Sequence, residues 1–122
     1  MQLETMTKEE KTVAVMTGQE IVITDAQSAL DLLMTVKYET KADALAIDKR
    51  LIIEDFFVLS TGLAGEILQK FINYLCKVAI YGDFTCYTSK PLKDFIYESN
   101  QGKDIFFTAT KDEAVAKLFA VL

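Results

Sequence analysis

Short apolar runs alternate with amphipathic segments along most of this chain, and that alternation restricts its fold more than any other feature. Continuous apolar runs occupy residues 44–47, 78–81 and 105–107, and segments with helical spacing separate them. Short runs of this kind between helices are typical of strands buried on both faces of a parallel sheet. The alternation therefore predicts an α/β protein with a largely parallel sheet and right-handed crossovers.

The first third of the chain is predicted to supply a hairpin and a helix. β-prone runs at residues 12–16 and 20–23 flank a Gly-containing stretch at residues 17–19, which favours a β-hairpin. A capping-box pattern at residues 24–27 then starts a helix that we expect to end near residues 37–40.

The polar stretch of residues 1–10 lacks periodicity, and we predict that it is a flexible N-terminal arm. Residues 11–122 then form a single domain, as expected for a chain of 122 residues. The expected order is β-β-α-β-α-β-α-β-α, with about five strands and four helices in a mixed, mostly parallel sheet.

Residues 62–77 carry the clearest helical pattern of the chain. Two i, i+4 ladders of apolar residues run along one side, and a polar stripe runs along the other. We expect both ladders to be buried and the stripe to be solvated. The ladders are Leu63, Ile67, Phe71, Leu75 and Ala64, Leu68, Ile72, Cys76, and the stripe is Glu66, Lys70, Asn73, Lys77.

Two later helices have clear start signals. Ser89, with Pro91 in the first turn, predicts a helix that ends at residues 100–102. Thr110 and Glu113 form a capping box for the last helix.

The segment of residues 49–59 fits neither the strand pattern nor the helix pattern. It is rich in Ile, Phe and Leu but is interrupted by charged pairs. We expect a connection with a short turn that places Ile52, Phe56 and Phe57 under the domain.

Charge and composition exclude several classes of function. The formal net charge is −5, with 13 basic and 18 acidic residues, which disfavours nucleic acid and anionic membrane as partners. The chain contains no His, so a His general base, a His-activated nucleophile and a His-ligated metal are excluded. Without a cofactor motif or a complete catalytic constellation, we expect no catalytic residue, no cofactor and no metal.

The two cysteines and the first residues bear on the compartment. Cys76 and Cys86 match neither a redox motif nor a zinc motif, so we expect two reduced thiols, Cys76 in the core and Cys86 in a loop. The first residues contain no apolar stretch of the secretory type, and no run approaches the ~20 residues of a membrane span. We expect a cytoplasmic protein.

Three stretches of the chain match one family pattern. They are residues 55–71 (DFFVLSTGLAGEILQKF), 79–84 (AIYGDF) and 94–100 (DFIYESN). Together they resemble the signature of an uncharacterised bacterial family, Domain of Unknown Function 4180. The resemblance implies bacterial relatives across nearly the whole chain and supplies no activity.

A second similarity concerns the turn at residues 60–63. It resembles the Asp-Ser-Ser-Gly-Leu turn of STAS domains, the anti-sigma factor antagonists, although Leu59 replaces the acidic residue. By this resemblance Thr61 takes the place of the phosphorylatable Ser, and residues 89–91 take the place of a Ser-Pro helix start. The resemblance implies a STAS-like fold with a switch position at Thr61.

The turn before the clearest helix is the first candidate site. Small residues at a helix start offer free N–H groups to an anion, and Ser60, Thr61 and Gly62 supply them here. The alternative is that Ser60 or Thr61 caps the helix while the glycines allow close packing. No Gly-Lys-Ser/Thr follows, so the turn is not a P-loop.

Acidic residues near strand ends form the second candidate site. Asp48 and Asp83 each close a predicted parallel strand, and ligands of open α/β sheets gather at such ends. With Glu54 and Asp55 they could hold Mg²⁺ or raise the pKa of one carboxyl group. The alternative is a set of solvated acids that end strands and cap turns.

Aromatic residues around the loop at 82–90 form a third candidate, either a partner surface or a completion of the core. This aromatic set is Phe84, Tyr87, Phe95 and Tyr97.

Two functions follow as hypotheses. The first is a non-enzymatic interaction or regulatory module with an unknown protein partner, for which a homodimer is possible. The second is a small-molecule or anion-binding protein, or a weak enzyme, that uses a rim at Asp48, Thr61 and Asp83. An open cavity of ~300 Å³ or more at that rim would favour the second. The working surface of the first is Ser60, Thr61, Gly62, Glu66, Lys70 and Asn73.

Overall fold

The computed structural model describes residues 1–122. Its strands form one five-stranded sheet, and helices connect most of them as the sequence predicts. The strands lie in the order β1-β2-β3-β4-β5; β1 is antiparallel to β2, and every other neighbouring pair is parallel. The expected α/β architecture, mixed but mostly parallel, with five strands and four helices, is confirmed. The elements are β1 Gln2–Lys8, β2 Lys11–Thr17, α1 Ala26–Thr40, β3 Ala44–Asp48, α2 Leu63–Asn73, β4 Lys77–Tyr81, α3 Lys90–Gln101, β5 Ile105–Thr108 and α4 Lys111–Val121.

The two faces of the sheet carry different side chains and receive different helices. Successive strand residues point to opposite faces, so Leu45 and Ile47 enter the larger core beneath α1, α2 and α3. Ala44, Ala46 and Ala79 lie on the other face in a smaller core with α4. Small side chains on that face let a single helix pack closely against the strands. None of the four helices is long and apolar enough to cross a membrane.

The connection between β3 and α2 follows the predicted course. It contains three short 3₁₀ turns, at Lys49–Leu51, Glu54–Phe57 and Leu59–Thr61. Ile52, Phe56 and Phe57 are all buried, because the turns fold the segment back under the sheet. This confirms the expected connection.

The predicted hairpin and the predicted arm are both wrong. Residues 2–8 form β1 and pair with β2 through a two-residue turn at Glu9 and Glu10. Both turn residues have positive φ, +51° and +69°, as in the primed turns whose twist suits hairpins. Residues 20–23 form no strand; Ile23 instead makes an isolated parallel bridge with Ile52. Ile23 is fully buried, and its main chain bonds Leu51 and Ile53 instead of pairing with β2.

Two helix boundaries also differ from the prediction. The capping box of α1 uses Asp25 and Ser28, one residue later than expected, with the Ser28 N–H donating to Asp25 Oδ1 over 2.8 Å. α2 ends at Asn73, so the apolar ladders extend beyond the C-terminal end of the helix. Ile72 and Leu75 are exposed, contrary to the expectation that both ladders are buried.

Candidate functional site

The largest cavity, which we call the loop pocket, opens between two connections that follow parallel strands. Its volume is about 640 Å³. One wall comes from the 3₁₀ turns after β3, and the other comes from the loop after β4 and the first turn of α3. The lining residues are Glu54, Phe57, Val58, Leu59, Ser60, Cys86, Tyr87, Thr88, Ser89, Pro91 and Leu92.

Local sequence explains why these two walls face each other. Parallel strands end at the same edge of a sheet, so the segments after β3 and β4 leave side by side. Ser89 ends the second segment by capping α3, where its Oγ accepts the Leu92 N–H over 3.4 Å, and Pro91 stands in the first turn. The predicted start of α3 is confirmed, and it forms part of the pocket.

One hydrogen bond links the two walls. The Tyr87 hydroxyl donates to Glu54 Oε1 over 2.6 Å. Burial, then the bond to Glu54, raises the pKa of Tyr87 well above its usual range, so the phenol keeps its proton and remains a donor. The ring of Tyr87 also stacks on Phe57, with centroids 5.1 Å apart, and the Lys49 ammonium lies 4.7 Å from the Tyr87 centroid.

The loop pocket is mainly apolar with a few polar groups at its edge. Phe57 and Leu92 are buried, whereas Ser60, Cys86 and Thr88 are exposed. Cys86 is a free thiol, and so is the buried Cys76. The side chains offer hydroxyls, one thiol and one carboxylate, and the cavity has no lysine or arginine in its lining.

A second cavity, which we call the strand-end pocket, contains both strand-closing aspartates. Its volume is about 470 Å³. Asp48 is buried and binds Arg50 by two routes: it accepts the Arg50 main-chain N–H over 2.9 Å and the Nη2 group over 2.8 Å. The lining residues are Asp48, Lys49, Arg50, Tyr81, Gly82, Asp83, Ala109, Thr110 and Lys111.

The carboxylates do not form the cluster that the sequence suggested. Asp83 accepts the main-chain N–H of Thr85 over 2.8 Å and also its hydroxyl, and these bonds, the hydroxyl's first, lower the pKa of Asp83. The prediction that one carboxyl group has a raised pKa, as a general acid needs, is therefore wrong for Asp83. Glu54 lies in the loop pocket and Asp55 is exposed on its own. No group of three or more Cys, Asp or Glu side chains could hold a metal ion.

Thr61 lies apart from the two aspartates, so the predicted rim of Asp48, Thr61 and Asp83 is not one cavity. Its hydroxyl donates to the Val58 carbonyl over 2.9 Å, with the Asp55 carbonyl 3.0 Å away, and accepts the Leu63 N–H over 3.2 Å. The residue is exposed. The N-cap of α2 is Gly62, with φ +77°, so neither Ser60 nor Thr61 is the formal cap.

The rest of the candidate interaction surface lies along α2. Glu66 and Asn73 are exposed, and Lys70 is half-buried. Asn73 Oδ1 accepts a hydrogen bond from Gln69 over 2.8 Å. The stripe is thus a largely solvated helix face.

The aromatic set divides into core residues and one surface residue. Phe84, Tyr87 and Phe95 are half-buried against the larger core, and Phe84 and Phe95 both make edge contacts with Phe107. Tyr97 is 67% exposed. For three of the four residues, completion of the core was the correct interpretation.

Sequence reasoning noted most of the residues that line the loop pocket, but it did not predict that they form one site. It singled out Ser60, Glu54 and Tyr87, but for different reasons and at separate sites, and it assigned no role to Thr88. The available signal was positional: both walls follow apolar runs that predict parallel strands. The contact between Glu54 and Tyr87 joins residues 33 positions apart, and no local pattern encodes it.

The fold and the two cavities described above define an α/β protein whose candidate site lies where the connections after parallel strands meet. The chain belongs to the family described as Domain of unknown function (DUF4180), whose model matches residues 8–118. No curated protein and no solved structure matches the chain. The similarity to STAS domains and the bacterial origin stay predictions.

Proposed function

We propose that this protein binds a small, mostly apolar ligand in the loop pocket. The observation that carries the proposal is the 640 Å³ cavity between the connections after β3 and β4. Ligand sites are clefts of about 300–1,000 Å³ with apolar walls and few polar groups. In open α/β sheets they occur outside the carboxyl ends of the strands, which is where this cavity lies.

The walls of the cavity are held in place before any ligand arrives. The Tyr87–Glu54 hydrogen bond and the stacking of Tyr87 on Phe57 tie one wall to the other. A preformed pocket loses less conformational entropy on binding, which favours affinity. Ser60, Cys86 and Thr88 then offer polar contacts that orient a ligand at the rim.

A neutral apolar fluorophore such as N-phenyl-1-naphthylamine tests this proposal, because its emission rises on transfer from water to an apolar site. We expect saturable binding at one site per chain. Ser60→Trp should fill the mouth of the pocket and weaken binding at least about tenfold. Gln69→Trp, on the exposed side of α2, is the matched control and should bind like the parent. Absence of saturable binding, or equal binding by both variants, contradicts the proposal.

A second candidate function is a protein-interaction or regulatory module that uses α2. The observation in its favour is an exposed apolar group at the end of this helix, where Ile72, Tyr74 and Leu75 are 40%, 44% and 87% exposed. Exposed apolar groups rimmed by polar residues mark many interaction surfaces. Ser60, Thr61, Gly62, Glu66, Lys70 and Asn73 lie at the start and along the polar stripe of the same helix.

Affinity capture with defined variants separates this second function from non-specific binding. A partner held by the parent should be lost by Leu75→Asp and kept by Tyr38→Asp, since Tyr38 is a similarly exposed large residue on α1. A regulatory phosphate on Thr61 would have to replace the bonds that its hydroxyl makes to Val58 and Leu63. Thr61→Glu should then release the partner while the domain stays folded. Retention of every partner by Leu75→Asp rejects the module.

We also propose a reducing, cytoplasmic setting for the protein. Both cysteines are free thiols, and Cys86 is exposed on a loop. Exposed thiols persist where thioredoxin and glutathione keep them reduced.

A further inference from the structure

We infer that the free edge of β1 pairs with β1 of a second copy of this chain, antiparallel and about a two-fold axis at Met6. The inference is independent of the loop pocket. The two edges of the sheet, which are β1 and β5, differ in whether their outward main-chain groups have partners.

The β5 edge is already blocked. Asn100 on α3 donates its side-chain amide to the Phe107 carbonyl over 3.1 Å and accepts the Phe107 N–H over 2.8 Å. The side chain thus imitates a neighbouring strand at the point where one could add. Natural proteins commonly protect edges in such ways, because open edges recruit other strands.

The β1 edge has no such protection. Residues 2–8 pair with β2 on one side, and no other hydrogen bond uses their main chain. In an antiparallel pair the main-chain groups of alternate residues point away from the partner strand, so Leu3, Thr5 and Thr7 present unpaired N–H and C=O groups at this edge. The strand contains no proline or glycine. That edge is long enough for a regular ladder with another strand.

The charges of β1 select one register for a second copy. Two identical antiparallel strands in one continuous sheet are related by an axis perpendicular to it, so opposite residues share a face. With Met6 opposite Met6 of the partner, Glu4 faces Lys8 twice, and opposite charges at facing positions stabilise a strand pair. A two-fold axis at Glu4 would oppose like charges, and one at Thr5 would place Glu4 against Met6.

The faces of the sheet agree with this register. Met6 is partly buried against the smaller core, together with Phe119 of α4. A second Met6 at the axis would cover its exposed part and make the two smaller cores continuous. Leu3 packs on the opposite face against the larger core, where Thr5 and Thr7 would meet across the same ladder.

Sedimentation of the full chain tests the pairing by charge reversal. We expect association that increases with protein concentration. Glu4→Lys and Lys8→Glu each convert two attractive pairs into repulsive ones and should weaken the dimer about tenfold or more. The double variant Glu4→Lys/Lys8→Glu restores opposite charges and should return to within about threefold of the parent. Both residues are exposed, and thermal melts confirm that each variant is folded.

Disulfide cross-linking tests the register itself. In a Cys86→Ser background, Met6→Cys should form a covalent dimer on mild oxidation, because the two sulfurs would face each other at the axis. Thr5→Cys is the matched control and should cross-link much more slowly, because its opposite residue is Thr7. A monomer at every concentration overturns the inference, as does a dimer that neither single reversal weakens. Equal cross-linking of Thr5→Cys and Met6→Cys overturns the register.

Discussion

Thr61 shows how one hydroxyl organises the start of a helix without being its cap. The N-cap position of α2 belongs to Gly62, which has φ +77° and no side chain to accept an N–H. Left-handed φ is unfavourable for residues with a Cβ, so the turn uses glycine there. The Thr61 hydroxyl supplies the polar contacts instead, by bonding the Val58 carbonyl and the Leu63 N–H.

Thr61→Val keeps the shape of the side chain and removes these hydrogen bonds. We expect the free energy of unfolding to fall by about 1 kcal/mol, the usual net contribution of such bonds. Urea denaturation measures the change. Ser60→Ala is the control, because Ser60 is exposed and makes no hydrogen bond through its hydroxyl, and it should stay within about 0.5 kcal/mol of the parent. Equal stability of Thr61→Val and the parent would show that these bonds contribute nothing.

At the scale of one element, α2 ends earlier than its apolar pattern because the chain must enter β4 at Lys77. Leu75 adopts φ +56°, and the Cys76 N–H returns to the Phe71 carbonyl over 2.9 Å. This closure resembles the left-handed helix ends that usually contain glycine. It turns Leu75 outward, so a residue of the apolar ladder becomes the most exposed large hydrophobic residue of the chain.

Phe71 and Leu75 occupy the same apolar ladder but should differ sharply in their effect on stability. Phe71 is 1% exposed, and Phe71→Ala should lower the free energy of unfolding by about 3–5 kcal/mol through lost burial and a cavity. Leu75→Ala should change it by less than about 0.5 kcal/mol. Thermal or urea melts of the two variants decide the matter. Similar losses in both would mean that α2 continues through Leu75.

The β5 edge offers a second prediction at the scale of an element. Asn100→Ala leaves the Phe107 N–H and carbonyl without their side-chain partner. We expect a loss of about 1–3 kcal/mol, together with faster aggregation on heating, because the edge becomes free to pair. Gln101→Ala, an exposed change in the same turn of α3, is the control for helix propensity. Light scattering equal to that of the control would contradict the protective role.

At the scale of the whole molecule, two buried weak acids, the thiol of Cys76 and the phenol of Tyr81, should make the stability of the fold sensitive to high pH. Burial raises the pKa of the Cys76 thiol to about 11 and raises the pKa of Tyr81 to about 12. The Tyr81 hydroxyl also donates to the Met16 carbonyl over 3.0 Å. Both groups bind their protons more tightly in the folded chain, which therefore retains protons that the unfolded chain releases.

The free energy of unfolding should therefore be fully retained below about pH 9 and should fall as the pH rises toward 12. The sign follows from linkage: stability decreases with pH wherever the folded state binds more protons. The raised pKa of Cys76 alone accounts for on the order of 2–3 kcal/mol of this loss in the free energy of unfolding. Urea titrations at stepwise pH give the slope, and Cys76→Ala should show a shallower decline between pH 9 and 11. A stability that does not change up to pH 11 would refute the effect of burial.

Local patterns in the sequence are enough to predict most of the architecture. The apolar runs placed β3, β4 and β5, and the capping signals at Ser89 and Thr110 placed the starts of α3 and α4. These predictions held because each pattern is local: a strand buried on both faces must be apolar throughout, and a helix start must satisfy its own N–H groups. The family pattern over residues 55–71 is equally local, and the family match supports it.

Contacts between residues distant in sequence depend on the packing of the whole chain, and local patterns do not predict them. β1 is polar because its edge and much of its surface face solvent, so its strand character depends on pairing with β2 rather than on a pattern of its own. The loop pocket depends on Glu54 meeting Tyr87 across 33 residues. Periodicity reports how much of a residue is buried, whereas partners distant in sequence are chosen by the packing of the whole chain. For that reason the strands that end at a common edge could be predicted, and the cavity between their connections could not.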